Sequence, residues 1–153
     1  MRSIALVVLV LAVTGCGNKS GGGSTSSGDA TTAAESKYDK GPRAAEESID
    51  QSLVKQGEGL FQTKGCSACH GFGRRISCPD LDGVTMRRTS EWMRNQILHP
   101  EVMTKEDPIS HQLLAQYSLQ MPNQQLTEPE AKAVIEFLKH KNHETNEAEG
   151  GSH

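Results

Sequence analysis

The stretch Cys66-Ser67-Ala68-Cys69-His70 constrains this chain more than any other. Its pattern, C-x-x-C-H, is typical of the covalent attachment of a c-type haem. Two thiols at this spacing can add to the two vinyl groups on one porphyrin edge, and the adjacent histidine can then bind the iron as its proximal ligand. Zinc binding and thiol redox chemistry are the alternatives. A zinc site would need two more soft ligands, and only Cys78 and scattered histidines remain. The motif therefore predicts one covalently bound haem c.

The composition agrees with a small domain that needs a cofactor to complete its core. The chain has 153 residues, of which 35% are hydrophobic and only 4% aromatic, and this is little apolar volume for a self-sufficient core. A haem would supply the missing volume. The formal net charge of −3 gives no reason to expect nucleic acid as a partner. We expect a monomer.

The first sixteen residues have the features of an export signal. Arg2 is basic, and the apolar run Ile4 to Val13 is too short to span a bilayer, which takes about 20 helical residues. Val13-Thr14-Gly15-Cys16 resembles a bacterial lipobox, which predicts a signal peptide over 1–15 and lipidation of Cys16. An uncleaved anchor or an ordinary signal peptide is the alternative. We expect the protein to be lipid-anchored in the cell membrane or outer membrane, with its domain in the periplasm or another extracytoplasmic space.

Three further segments follow the signal peptide. The part from Asn18 to Ala34 is dominated by Gly, Ser, Thr and Ala without hydrophobic periodicity, so residues 16–47 are predicted to be the lipidated cysteine and a flexible tether. Residues 48–143 carry the amphipathic patterns of an all-α domain. The polar residues 144–153 are predicted to be a disordered tail.

The domain is predicted to contain four helices. The first covers 48–64, with Ser48 as N-cap, and the second has Ser90 as N-cap and stops at His99-Pro100. The third opens at Asp107-Pro108. The last begins at the capping box Thr127-x-x-Glu130, after an irregular loop over 118–126.

The second axial ligand of the iron would decide its chemistry. A methionine there raises the reduction potential and closes the iron to other ligands. Met93 and Met103 fall in or just after helices, where core packing is the ordinary role. Met121 differs because a proline follows it in an irregular loop, where the backbone can present its sulfur at a fixed place. The sequence alone leaves several candidates open. They are Met86, Met93, Met103, Met121 and the histidines His99, His111, His140, His143 and His153, of which His99 is the strongest.

The order of motifs resembles class I cytochrome c over roughly residues 48–141. A helix precedes C-x-x-C-H, the Pro-x-Leu-x-Gly stretch 79–83 follows it, and a Met-Pro loop precedes a final amphipathic helix. The resemblance implies a small all-α fold packed around one haem. It also implies that His70 and Met121 are the axial iron ligands. Cys78 departs from the pattern, since the family usually has glycine before this proline.

The resemblance implies three further sets of contacts. Gly57, Phe61 and Phe137 would lie where the first and last helices cross. The Pro79 carbonyl would accept a hydrogen bond from the other ring nitrogen of His70. Donors to the haem propionates would come from arginines, which bind carboxylates well, and from an indole N–H; otherwise these arginines form a solvated face or a docking patch. The candidate donors are Arg74, Arg75, Arg87, Arg88 and Trp92.

Together these features predict a membrane-tethered periplasmic monohaem cytochrome c. It would shuttle single electrons between respiratory redox partners through Fe(II)/Fe(III) with His/Met ligation, and would not be an enzyme. One alternative is a dedicated electron-donor subunit of one respiratory oxidoreductase, such as a copper or denitrification enzyme. Another is a haem sensor or peroxidase with an open iron site.

Overall fold

The computed structural model describes residues 35–150, and every regular element in that range is helical. The predicted signal peptide, the lipidation site Cys16 and most of the predicted tether lie outside the described residues. No helix in the described range is long and apolar enough to cross a membrane. After a 3₁₀ turn at Ala44–Glu46, the helices are α1 Gln51–Thr63, α2 Cys66–Cys69, α3 Val84–Arg87, α4 Ser90–Leu98, α5 Pro100–Glu106, α6 Pro108–Tyr117 and α7 Glu128–Gly150.

Helix α1 begins three residues later than its first predicted residue. The N-cap is Asp50, whose carboxylate accepts a hydrogen bond from the Ser52 backbone N–H. The assignment of Ser48 as N-cap is therefore wrong, and the Ser48 carbonyl instead accepts from the buried ammonium of Lys139. The helix ends at Lys64-Gly65 as predicted, because Gly65 adopts the left-handed conformation with φ 78°.

Helices α1 and α7 cross at Gly57. A side chain at this position would collide with the backbone of Ala133 and with Cβ of Phe137. The close approach brings Phe61 against Phe137, with ring centroids 5.4 Å apart, and Phe72 completes a three-ring cluster. The predicted crossing is confirmed.

Helices α4 to α6 are short and separated by caps. The Thr89 hydroxyl accepts from the Trp92 backbone N–H, so Thr89 is the N-cap of α4 and the assignment of Ser90 is wrong. The sequence prediction stopped at His99-Pro100 and missed α5, in which Pro100 occupies the first helical position. Asp107 caps α6 as expected.

Helix α7 is longer than its hydrophobic stripe. One half of the predicted capping box is present, since the Glu130 carboxylate accepts from the Thr127 backbone N–H at 2.7 Å, and the Thr127 hydroxyl donates to the same carboxylate. The prediction of a disordered tail is wrong for residues 144–150, which continue the helix. The reason is that Asn142 is 1% exposed and packs on the turn before α3. There its amide donates to the Leu81 carbonyl and accepts from the backbone N–H and hydroxyl of Thr85.

The predicted flexible tether also ends earlier than residue 47, because residues 36–46 pack on the domain. Ser36 and Ala44 are buried. The Asp39 carboxylate accepts from the Thr89 backbone N–H at 2.8 Å and pairs with the guanidinium groups of Arg43 and Arg88. Polar contacts and two apolar residues, Tyr38 and Ala44, hold this segment, and two residues are too few for hydrophobic periodicity to reveal it.

Candidate haem site

The C-x-x-C-H stretch follows directly from the end of α1. Cys66 and Cys69 are the first and last residues of the one-turn helix α2, both thiols are half-buried, and neither forms a disulfide. Burial raises the pKa of the Cys66 thiol. Within residues 35–150, no three His, Cys, Asp or Glu side chains are placed to hold a metal ion together. The described residues therefore provide no set of ligands for the alternative zinc site.

His70 is held by the loop that follows it. Its Nδ1 lies 2.8 Å from the Pro79 carbonyl oxygen, the contact that the resemblance implied. A carbonyl can only accept, so Nδ1 carries the proton and Nε2 keeps its lone pair. Burial lowers the pKa of His70, and the bond to Pro79 only partly opposes this. The ring is therefore a neutral imidazole with one nitrogen available to a metal.

A cavity opens beside His70. Its volume is about 180 Å³. Cys66, His70, Pro79 and Met121 all line it, and the rest of the wall is mostly apolar. Free thiols, an imidazole with an available nitrogen and an apolar cavity fit a covalently attached haem.

The structure separates the candidates for the second axial ligand. Of the four methionines within residues 35–150, Met93 and Met121 line the cavity, and Met93 is also part of the buried core. Met103 is 1% exposed and away from the cavity, whereas Met86 and His99 are on the exposed surface and do not line it. Met121 lies in a loop that is bound to α4, since the amide of Asn123 donates to the Leu98 carbonyl at 3.1 Å.

The four arginines predicted as propionate donors form two pairs, one on the cavity wall and one outside it. Arg87 and Arg88 line the cavity, but the Arg87 guanidinium donates to the Asp82 carbonyl and Arg88 pairs with Asp39. Arg74 and Arg75 are exposed and do not line the cavity. The Arg75 guanidinium stacks 4.3 Å from the centre of the Tyr117 ring.

The predicted contact of Trp92 with a haem propionate stays a prediction. Trp92 lines the cavity, and its Nε1 donates to Oδ1 of Asp107 at 3.0 Å. An indole has one N–H, and Asp107 is its partner in this structure. Burial alone would raise the pKa of Asp107, but hydrogen bonds from the Ser36 hydroxyl, the Ser110 backbone and Trp92 outweigh it and lower this pKa.

Cys78 is a buried thiol on the cavity wall, 5% exposed. Its backbone N–H donates to the Cys69 carbonyl at 3.1 Å. Burial raises the pKa of its thiol, and the neighbouring Cys69 thiol adds to this shift. These contacts agree with a small residue packed against the attachment loop.

The sequence prediction gave no role to Gln96 and Ser110, two polar residues that line the cavity. Gln96 lies in the apolar stripe of α4, and Ser110 is a buried serine in the first turn of α6. The signal that was available for Gln96 was its polarity at an inward position of the helix. For Ser110 there was none, because a polar residue in the first turn is ordinary.

The chain belongs to the cytochrome c family: the family model "Cytochrome c" matches residues 54–142. Members of this family are haem electron carriers, and the protein binds haem c covalently. A search of curated protein sequences gave no significant match.

Solved structures agree with the family. Cytochrome c from Rhodothermus marinus is 36% identical with a TM-score of 0.61, over 63% of this chain and 83% of that one. An engineered form of it, bound to a carbene intermediate, is 37% identical with a TM-score of 0.58 over the same shares. A cytochrome c domain of a Pseudomonas putida protein is 32% identical with a TM-score of 0.54, over 63% of this chain and 97% of that domain.

Proposed function

We propose that the protein is a membrane-tethered periplasmic electron carrier with His/Met iron ligation. The observation that carries this proposal is that His70 and Met121 line the same mostly apolar cavity as the attachment cysteine Cys66, while Cys69 directly precedes His70 in the chain. A thioether in this position would close the iron to other ligands, which favours electron transfer over substrate conversion or gas sensing.

Each residue of the site has a defined part. Cys66 and Cys69 would hold the haem by thioether bonds, and the Pro79 carbonyl would keep the His70 ring in one orientation and raise its basicity. Bound haem supplies the Fe(II)/Fe(III) couple. The protein fixes both ligands and excludes water with buried apolar side chains, so little has to move when the charge changes.

The partner surface is proposed to be the exposed loop after His70 together with the rim of the Met121 loop. Arg74, Arg75 and Ile76 are exposed on the first, and Leu119 is exposed on the second. Exposed apolar groups beside cations suit a small, transient interface with a redox partner. The lipid anchor at Cys16 would keep the domain near membrane-bound partners.

Replacing Met121 tests the ligation. In the purified holoprotein, Met121→Ala should abolish the sulfur-to-iron charge-transfer band and allow rapid carbon monoxide binding to the ferrous form. Met93→Leu is the matched control, because Met93 lines the same cavity and leucine keeps its volume. A band that survives in Met121→Ala and disappears in Met93→Leu would assign the ligand to Met93.

Two further experiments test the tether and the partner class. Mass spectrometry of the mature wild-type protein should find acyl chains at Cys16, and Cys16→Ala should lack them; an unmodified Cys16 in the wild type would contradict lipid anchoring. Purification from native membranes should yield a free protein that exchanges electrons with more than one partner. A stable complex with one oxidoreductase would favour the electron-donor subunit instead.

A further inference from the structure

The Gln96 side chain lies between Ser110 and Met121. Nε2 of Gln96 is 3.8 Å from Sδ of Met121, and Oε1 is 2.6 Å from Oγ of Ser110. All three residues line the cavity beside His70. A polar amide therefore contacts the sulfur of the proposed distal ligand.

The short contact with Ser110 determines which way the amide faces. A separation of 2.6 Å is typical of O–H···O and shorter than the usual 2.7–3.2 Å of N–H···O. The amide oxygen of Gln96 therefore faces Ser110, and Nε2 faces Met121. A thioether is a weak acceptor, so the bond to Ser110 is the interaction that sets this orientation.

Ser110 is fixed in turn by a buried carboxylate. Oδ1 of Asp107 accepts from the Ser110 backbone N–H at 2.9 Å and from Nε1 of Trp92 at 3.0 Å. The Ser110 hydroxyl also lies 3.1 Å from this oxygen, but it has one proton, which the shorter contact to Gln96 takes. Asp107 and Ser110 are 1% and 2% exposed, so the arrangement cannot rotate freely.

We propose that Gln96 is a positioning residue for the distal ligand, oriented by Ser110 so that its N–H donates to the Met121 sulfur and raises the reduction potential. The proposal rests on the proposed ligation by Met121. The N–H directs the positive end of its dipole at the sulfur and withdraws electron density from it. The sulfur then stabilises the ferric state less than the ferrous state.

A redox titration of the holoprotein tests this. Gln96→Leu should shift the Fe(II)/Fe(III) equilibrium about threefold toward the oxidised form, or about 30 mV at 59 mV per tenfold change. The sulfur-to-iron band should persist because Met121 is unchanged. Asn95→Leu is the matched control: it is the next residue of α4, its amide bonds to the Glu91 carbonyl, and it does not line the cavity, so its potential should equal that of the wild type.

A double-mutant cycle tests whether Ser110 affects the reduction potential through Gln96. Ser110→Ala should lower the potential in the wild-type background and have no further effect in Gln96→Leu. If leucine is too large for the site, Gln96→Ala should also lower the reduction potential. An unchanged or raised potential in the Gln96 variants would overturn the proposal, and so would fully additive effects of the two substitutions. If instead the wild type lacks the sulfur-to-iron band, or Met121→Ala keeps it, the ligation itself fails and the proposal fails with it.

Discussion

Substitution of Gly57 by alanine should destabilise the protein, although alanine is the better helix former. Alanine gains about 1 kcal/mol over glycine within a helix. At Gly57, however, the added Cβ would lie 2.6 Å from the Ala133 carbonyl carbon and 2.8 Å from Cβ of Phe137, whereas ordinary contacts begin at 3.4 Å. The obstacle is backbone, so α1 and α7 would have to separate by about 0.8 Å or more.

The separation weakens the packing of Phe61 on Phe137, since a gap of about 0.5–1 Å loses a quarter to a half of each contact. Overpacking at Gly57 should cost about 3 kcal/mol. After the gain of about 1 kcal/mol in helix propensity, the free energy of unfolding should fall by about 2 kcal/mol. In urea unfolding, with a slope of about 1–2 kcal/mol/M, the midpoint of Gly57→Ala should fall by about 1 M or more.

Gly59→Ala is the matched control for this substitution. Gly59 lies in the same helix, is exposed, and a Cβ there meets no atom within 4 Å. Its urea midpoint should rise, because only the gain of about 1 kcal/mol in helix propensity operates. If Gly57→Ala also unfolds at the wild-type urea concentration or above, the close helix crossing does not require glycine and the reasoning is refuted.

Three other predictions follow from buried groups. Asn142→Ala should cost about 2–4 kcal/mol in urea unfolding, since it leaves several buried backbone and hydroxyl groups without their partner; a loss below about 0.5 kcal/mol would contradict this. The pKa of Asp107 is lowered, so its carboxylate stabilises the fold above about pH 4, and this contribution is lost as pH falls toward the folded pKa. Asp107→Asn should therefore be less stable at pH 7 and lose less stability below pH 4, as followed by thermal unfolding across pH. Cys78 should resist iodoacetamide in the folded protein and react in urea, because its thiol is buried with a raised pKa; rapid native labelling would show that the thiol is accessible.

The sequence predicted the parts of the structure that depend on local pattern. Such features can be recognised from a few neighbouring residues. Examples are the C-x-x-C-H motif, the Thr127 capping box and the glycine of the first helix. The contact of His70 with Pro79 was available only from the resemblance to the family. Two N-caps were displaced to the adjacent or nearby polar residue, because several residues in the same window can cap a helix equally well.

Long-range polar contacts were missed. Trp92 donates to Asp107, fifteen residues away, and Asn142 bonds to the turn at Leu81, sixty-one residues away. Such pairs leave no periodic signal, and a buried polar residue at the end of a hydrophobic stripe looks like a surface residue. The packing of residues 36–46 was missed for the same reason, since the contacts of Asp39 are long-range and polar, and the apolar residues Tyr38 and Ala44 are too few to form a periodic pattern.

The hydrogen bonds of Asn142 connect the end of α7 to the loop that follows His70. The Asn142 side-chain amide donates to the Leu81 carbonyl. The Leu81 backbone N–H donates to the carbonyl of Gly71, the residue after that histidine. A force applied to the C-terminal helix, by a joined domain or a bound neighbour, would reach the imidazole through only two hydrogen-bonded links. Pulling on this end of the chain should therefore disturb the surroundings of the proximal ligand.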